Sequence, residues 1–208
     1  VLRKQEGDLL NLTNGKGLFF EVELIITGPK KCLAKVIAIK EQSPLPYNLH
    51  LAVAPTKLND RYEWFLEKAT EIGISQITPI LCEHSERKVI KHERFEKKIL
   101  SATKQSLKAY LPILNPAKSL KEFLKEQETI DSQKLIAHCE DTNRKSLKGV
   151  LAPKQSVIIL IGPEGDFSPN EISLAQKSGF NPVSLGESRL RTETAAIVAC
   201  HSVAFVNE

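Results

Sequence analysis

The sequence of 208 residues has no methionine, a single tryptophan and no apolar run long enough to span a membrane. A spanning helix needs roughly 18 or more apolar residues, so we expect no membrane segment. The charged start, Val1-Leu-Arg-Lys-Gln-Glu6, also lacks the apolar core of a signal peptide. Because the initiator methionine is missing, we expect native residues before Val1.

Closely spaced cysteines are also absent. Cys32, Cys82, Cys139 and Cys200 are at least 50 positions apart, which excludes a zinc knuckle and predicts reduced thiols in a cytoplasmic protein. All four have apolar neighbours in the sequence, so we expect them to be buried. The five histidines show no metal-ligand spacing, and we predict no metal site.

Motifs of several common enzyme classes do not occur. The chain has no G-x-S-x-G elbow, no Walker lysine loop and no G-x-G-x-x-G fingerprint. Serine hydrolysis, phosphoryl transfer and dinucleotide redox chemistry are therefore unsupported.

Charge is present but unevenly distributed. Residues 84–125 carry eleven basic and four acidic side chains, whereas residues 126–208 carry eight basic and eleven acidic ones. A basic segment of this kind suits a phosphate-backbone partner. On charge alone, a solvated helix face with outward lysines explains it equally well.

The stretch Pro44-Leu-Pro46 is the best linker candidate, because its prolines interrupt both helices and strands. Before it, apolar runs are separated by Asn14-Gly-Lys-Gly17 and by Gly28-Pro-Lys30, which predicts a small β domain over residues 1–43. After it, strand and helix patterns alternate. This order predicts a doubly wound α/β domain over residues 44–208.

Several elements of the second domain can be placed. We predict a helix over Asp60–Ile72, capped by Asn59 or Asp60, and a long basic helix over His92–Tyr110. The runs Leu135–Cys139 and Val157–Ile161 are continuously apolar, which is typical of parallel strands covered on both faces.

The last quarter of the chain repeats one order twice: a buried strand, a glycine turn and a helix start. The first turn is Gly162-Pro-Glu-Gly165, followed by a capping box formed by Ser168 and Glu171. The second turn contains Leu185-Gly186. Ligands bind at the carboxyl ends of parallel strands, so two such turns predict a site, although the first alone also suits a tight connection.

The segment Arg191-Thr-Glu-Thr194 strengthens the prediction of a site. Thr192 or Thr194 can cap the last helix, and Glu193 then lies in its first turn. Arg191 is a candidate anchor for a phosphate or a polarised carbonyl, with a surface salt bridge as an equal alternative.

These two motifs, Gly162–Gly165 with Phe167-Ser168 and Glu171, and Leu185-Gly186 before Leu190–Ala195, resemble those of the bacterial 16S ribosomal RNA uridine-N3 methyltransferases of the SPOUT superfamily. The resemblance covers nearly the whole chain. The further matching segments are Val1–Arg3 with Gly7-Asp8, Lys57 with Asp60-Arg61, Glu67–Gly73, Glu86-Arg87 and Gln105-Ser106.

This resemblance implies a particular fold, cofactor and assembly. Residues 1–43 would form a small N-terminal β-barrel (PUA-like) RNA-binding domain, and residues 44–208 a parallel-sheet SPOUT domain with a C-terminal trefoil knot and a homodimer interface. S-adenosyl-L-methionine would be the cofactor. The residues implied to bind it are Ile161, Gly162, Pro163, Glu164, Gly165, Leu185, Gly186, Leu190, Arg191, Thr192, Thr194 and Ala195.

The implied reaction is methylation of a uridine N3 in 16S rRNA of the small ribosomal subunit, without a metal or a membrane. Arg191 and Glu193 would be catalytic. The basic residues expected to bind RNA are Arg3, Lys4, Arg87, Lys88, Lys91, Arg94, Lys97 and Lys104. Two alternatives stay open: another target atom such as a ribose 2′-oxygen, or a non-catalytic RNA-binding protein with a vestigial pocket. Asp166, where the family usually has glycine, is the hint for the second.

Overall fold

The computed structural model describes residues 4–140 and 144–208, so the predicted RNA contact Arg3 lies outside the described residues. The chain divides into two compact units. The first contains the residues up to Pro44 together with Thr103–Leu111. The second contains Leu45–Ala102 and Pro112–Glu208.

In its described residues the first unit has a three-stranded antiparallel sheet of β1 (Leu9–Thr13), β2 (Leu18–Thr27) and β3 (Cys32–Glu41), in that order. The predicted turn before β2 forms, with the side chain of Asn14 accepting hydrogen bonds from the backbone N–H groups of Lys16 and Leu18. The small β domain that the turn chemistry predicts is therefore confirmed.

The second unit alternates strands and helices, as predicted. Its elements are β4 (Asn48–Val53), α1 (Asn59–Ile72), β5 (Gln76–Leu81), α2 (His92–Gln105, whose end belongs to the first unit), β6 (Ile113–Leu114), β7 (Lys118–Ser119), α3 (Leu120–Gln127), β8 (Gln133–Ala137), β9 (Lys145–Ser146), α4 (Leu147–Val150), β10 (Ser156–Ile161), α5 (Pro169–Lys177), β11 (Asn181–Ser184) and α6 (Thr192–Val206). Within the described residues the strands form one parallel sheet in the order β6-β5-β4-β10-β8-β11-β9, with β7 also paired to β5.

Both faces of this sheet are buried, which explains its continuous apolar strands. Along β10, Val157, Ile159 and Ile161 enter one core with α1 and α6, whereas Ile158 and Leu160 enter the other with α3 and α5. Each fully buried side chain of this size contributes roughly 2 kcal/mol through removal of apolar surface from water.

The helix starts are only partly as predicted. The capping box at Ser168 is confirmed, because its side chain accepts from the Glu171 N–H while the Glu171 carboxylate accepts from the Ser168 N–H. The cap predicted for α1 is wrong: Leu58 occupies the N-cap position without a side-chain hydrogen bond, and the helix already begins at Asn59.

Helix α2 is shorter than predicted, ending at Gln105 instead of Tyr110. Leu107 adopts a left-handed φ of 52°. The following residues belong to the first unit. There the Ala109 N–H donates to the side-chain oxygen of Gln42, and the Ala109 carbonyl accepts from the Gly17 N–H. These hydrogen bonds use backbone groups of Ala109 that a longer α2 would need for its own hydrogen bonds.

The cysteine prediction is wrong for two of the four residues. Cys82 and Cys200 are buried, but Cys32 and Cys139 are exposed. Cys32 begins the edge strand β3, and Cys139 lies just after β8, where the chain leaves the sheet.

The connection from β11 to α6 runs along the carboxyl ends of the strands in the parallel sheet. Strand β11 lies between β8 and β9, whereas α6 packs against α1, β4 and β10. Residues 185–191 therefore pass the carboxyl ends of β8 and β10 before the last helix begins. The knot implied by the resemblance requires such a crossing. In the described part of the chain, no helix is long and apolar enough to cross a membrane.

Candidate active site

A cavity of about 550 Å³ lies at the carboxyl edge of the parallel sheet, where the loops after β8, β10 and β11 meet. This volume lies within the usual range of small-molecule sites. The residues predicted to bind the cofactor all line it except Gly165 and Thr194. Both predicted glycine turns therefore contribute to one concave site.

The first turn is tightly packed. A Cβ on Gly162 would lie 3.0 Å from the ring of Phe167, so a larger residue there would require the ring to shift. Gly165 lies against His84 instead of the cavity, and a Cβ there would be 3.0 Å from the His84 Cβ. The Glu164 carboxylate accepts from the Lys57 N–H through Oε1, while its buried Oε2 has no hydrogen-bond partner among the described residues.

Asp166 has a structural duty that the sequence does not reveal. Its φ is 63°, in the left-handed region, and its Oδ1 accepts a 2.8 Å hydrogen bond from the Phe167 N–H. Its Oδ2 accepts from the Cys139 N–H at 2.7 Å. Both carboxylate oxygens thus bind backbone groups of the cavity loops, which removes the reason to read Asp166 as a sign of a vestigial pocket.

The start of α6 differs from the predicted cap. Arg191, not Thr192 or Thr194, occupies the N-cap position, and its side chain makes no capping hydrogen bond. Thr192 is the first helical residue, and its hydroxyl donates a 3.0 Å hydrogen bond to the Gly162 carbonyl. This bond holds the helix start against the first glycine turn, a contact that the sequence does not predict.

Glu193 lies in the first turn of α6 as predicted, but it is buried and does not line the cavity. Its Oε1 is 3.7 Å from the Arg61 Nε, and its Oε2 has no hydrogen-bond partner among the described residues. The carboxylate therefore keeps one free acceptor oxygen next to a cation.

Three arginines, Arg144, Arg189 and Arg191, line the cavity, and none has an ion pair within residues 4–140 and 144–208. The surface salt bridge considered for Arg191 is thus absent from the described structure. Because guanidinium groups bind carboxylates and phosphates in a bidentate geometry, these side chains suit an anionic ligand or RNA.

The predicted RNA contacts fall into two groups. Lys88, Lys91, Lys97 and Lys104 are exposed and have no ion pair within the described chain. Arg87 instead donates to the carbonyl oxygens of Thr56 and Lys57, and Arg94 pairs with Glu63 and Asp60; Lys4 lies 4.0 Å from Asp8. The four lysines are the freest to bind phosphate.

Part of the cavity wall consists of residues that the sequence motifs do not predict. The missed residues include His138, Cys139, Arg144, Ser184, Glu187 and Arg189. His138 and Cys139 directly follow β8, which was predicted as a parallel strand, so the rule that ligands lie at carboxyl strand ends could have found them. No group of three or more potential metal ligands occurs in the described residues.

Comparison with known proteins gives the family. A family model described as an RNA methyltransferase domain matches residues 43–204, and one described as an RNA methyltransferase PUA domain matches residues 1–37. The ribosomal RNA small subunit methyltransferase E of Rickettsia conorii is 31% identical over 98% of this chain and 83% of its own length.

Two solved structures agree. A probable rRNA-methyltransferase from Porphyromonas gingivalis is 42% identical, with a TM-score of 0.91 over 99% of this chain and 87% of that chain. A ribosomal RNA small subunit methyltransferase E from Neisseria gonorrhoeae, solved with bound S-adenosyl methionine, is 25% identical, with a TM-score of 0.85 over 99% and 86% of the two chains. The resemblance read from the sequence motifs is confirmed, and the chain belongs to the ribosomal RNA small subunit methyltransferase E family.

Proposed function

We propose that this enzyme methylates N3 of a uridine in the 16S rRNA of the small ribosomal subunit, with S-adenosyl-L-methionine as methyl donor. The observation that carries this proposal is the convergence of both family motifs on one cavity at the carboxyl edge of the sheet. Family membership supports the reaction class. The three cavity arginines, which have no ion pair with any described residue, support an RNA substrate at this edge.

The residues of the cavity fit this cofactor. The methionyl part carries a carboxylate and an ammonium group. Arg189 and Arg191, which have no ion pair among the described residues, suit the first, and the Oε2 of Glu164, which has no hydrogen-bond partner there, suits the second. The glycine turns bring backbone groups close, and Gly186 has a φ of 125° that other residues rarely adopt. Once bound, S-adenosyl-L-methionine supplies an electrophilic methyl group on its sulfonium.

Two side chains are proposed to act on the uracil ring. N3 must lose its proton, and the resulting negative charge spreads over the two uracil oxygens. Arg191, which is exposed at the start of α6 and has no ion pair in the described part of the chain, stabilises that charge. Glu193 accepts the proton through Oε2 of its carboxylate, which has no hydrogen-bond partner among the described residues. Because this oxygen is buried outside the cavity, the proposal includes a rotation of the side chain toward the ring.

RNA is proposed to contact both domains. Residues 1–43 would act as the RNA-binding domain and residues 44–208 as the methyltransferase domain. Phosphates would bind the exposed Lys88, Lys91, Lys97 and Lys104. An enzyme acting on ribosomal subunits would work in the cytoplasm.

We also propose a homodimer through the second unit. Helix α6 is apolar around most of its circumference, and Phe205 remains 63% exposed beside the half-buried Val198 and Val206. A helix of this composition is normally covered on all sides. Sedimentation analysis of Phe205→Glu tests the dimer: the variant should sediment as a monomer at concentrations where the wild type is dimeric, and a monomeric wild type would refute it.

The methylation test uses small ribosomal subunits from a strain that lacks this enzyme. Purified protein and S-adenosyl-L-methionine should produce N3-methyluridine at one 16S position, as read by nucleoside mass spectrometry. A 2′-O-methylated nucleoside would instead identify another target atom, and the absence of any product would refute the proposed activity.

A further inference from the structure

His138 stands out among the cavity residues that the proposed function does not use. It lies directly after β8, is 4% exposed and lines the cavity. Neither ring nitrogen has a hydrogen-bond partner among the described residues. Buried polar groups are normally hydrogen-bonded, so an imidazole left without any partner calls for an explanation.

The peptide group that joins this residue to Cys139 is hydrogen-bonded at both its carbonyl and its N–H. The Arg144 guanidinium donates to the His138 carbonyl, and the next N–H, that of Cys139, donates to the Asp166 carboxylate. The protein therefore fixes the peptide group between His138 and Cys139, while the two ring nitrogens of His138 have no partner among the described residues.

The charge state of the ring limits what it can bind. Burial holds the pKa of His138 below its ordinary value, against the opposing effect of Asp166. A neutral imidazole offers one donor and one acceptor. The ribose hydroxyls and the adenine edge offer donors and acceptors without a charge, which suits a neutral ring, whereas the charged methionyl groups suit the arginines and Glu164 of the cavity.

We propose that His138 is a binding residue for the adenosyl part of the cofactor, donating one hydrogen bond and accepting another through its two ring nitrogens. This inference rests on the proposed use of S-adenosyl-L-methionine. Less than 1 Å² of either nitrogen is exposed, so a rotation of the side chain on binding is part of the proposal.

Calorimetry on the full chain tests the contact. The probes are S-adenosyl-L-methionine and 5′-methylthioadenosine, which keeps the adenosyl group but lacks the charged methionyl groups. His138→Leu should weaken both ligands by about tenfold, the usual scale of lost buried hydrogen bonds, whereas His138→Asn should stay within about threefold. His50→Leu is the matched control, because it removes another buried histidine from the same sheet, away from the cavity, and should leave both affinities unchanged.

A spectroscopic readout separates contact from structural support. In long-range ¹⁵N–¹H spectra of the wild type, assigned with His138→Asn, the His138 ring nitrogens should shift when 5′-methylthioadenosine saturates the protein. Unchanged ring signals, or unchanged affinities in His138→Leu, would overturn the inference while leaving the proposed function intact. A loss confined to S-adenosyl-L-methionine would also overturn it, and a wild type that binds neither probe would refute the proposed function itself.

Discussion

The carboxylate of Asp166 accepts a 2.7 Å hydrogen bond from the backbone N–H of Cys139, 27 positions earlier in the chain. The bond joins the loop after β10 to the loop after β8. Because the cavity lies between these loops, its shape depends on this carboxylate.

Asp166→Asn should increase hydrogen exchange of the Cys139 amide by about tenfold, since a hydrogen bond to a charged acceptor is replaced by a weaker contact. Asp166→Gly should have a similar local effect but a smaller loss of thermal stability, because glycine adopts the φ of 63° without strain. Asp131→Asn, at an exposed aspartate, is the control. Unchanged exchange at Cys139 in both variants would show that the bond does not hold the loop.

Arg191→Ala should lower the rate of methyl transfer at saturating cofactor by about 10²–10³-fold, the effect of removing a donor that stabilises developing negative charge. Single-turnover kinetics with small ribosomal subunits gives the rate. Lys177→Ala, an exposed cation on α5, controls for loss of positive charge. A wild-type rate in Arg191→Ala would remove Arg191 from the mechanism.

Glu193→Gln should lower the same rate by about 10²-fold, since the amide cannot accept the N3 proton. Arg61→Ala removes the neighbouring cation but leaves the carboxylate in place, so it should lose less than the Glu193 variant. If the two variants lose activity equally, the pair supports the helix start and Glu193 is not the proton acceptor.

Replacing Lys88, Lys91 and Lys97 together by alanine should make RNA binding less dependent on salt. Each phosphate contact to single-stranded nucleic acid contributes about 0.7 to the slope of log K against log salt, so the slope should fall by about 2. The corresponding triple replacement of Lys145, Lys148 and Lys177, exposed lysines outside the basic segment, should leave it unchanged. Equal slopes in the two triple variants would show that the basic segment is only a solvated helix face.

His50 makes stability depend on pH. Burial, with a smaller effect of Lys118, lowers the pKa of His50 to about 4. As the pH falls, the unfolded chain therefore binds a proton at His50 before the folded chain does. The contribution of the neutral His50 ring to the free energy of unfolding is fully present above about pH 6.5 and is lost as the pH falls toward 4. Over that range it amounts to at most about 3 kcal/mol.

His50→Gln should accordingly show a flatter decline of the unfolding midpoint between pH 7 and pH 5 than the wild type. His201→Gln, at an exposed histidine, should follow the wild-type curve. Parallel curves for the wild type and His50→Gln would contradict the pKa assigned to His50.

Local sequence patterns predicted the elements that depend on local chemistry. The run Val157–Ile161 is apolar at every position because both faces of β10 are covered, and Ser168 with Glu171 marks the start of α5 because the capping box is made within one turn. The two glycine turns also lie at the carboxyl edge of the sheet as predicted, because each one closely follows a buried strand in the sequence.

What the sequence could not predict depends on partners distant in the chain. The end of α2 depends on the hydrogen bonds of Ala109 with Gly17 and Gln42, and no residue pattern near Gln105 predicts it. The structural role of Asp166 likewise depends on a hydrogen bond from a backbone amide 27 positions away. Such contacts can be found only when the fold brings the two segments together.

The segment Thr103–Leu111 belongs to the first unit although it follows α2 in the chain. Cutting the gene after Pro44 would therefore yield an incomplete piece, because the Gly17 N–H would lose its acceptor and the Gln42 side chain its donor. The N-terminal unit cannot be exchanged between relatives as a single continuous cassette. A chimaera that swaps it needs two segments replaced together, the residues up to Pro44 and Thr103–Leu111.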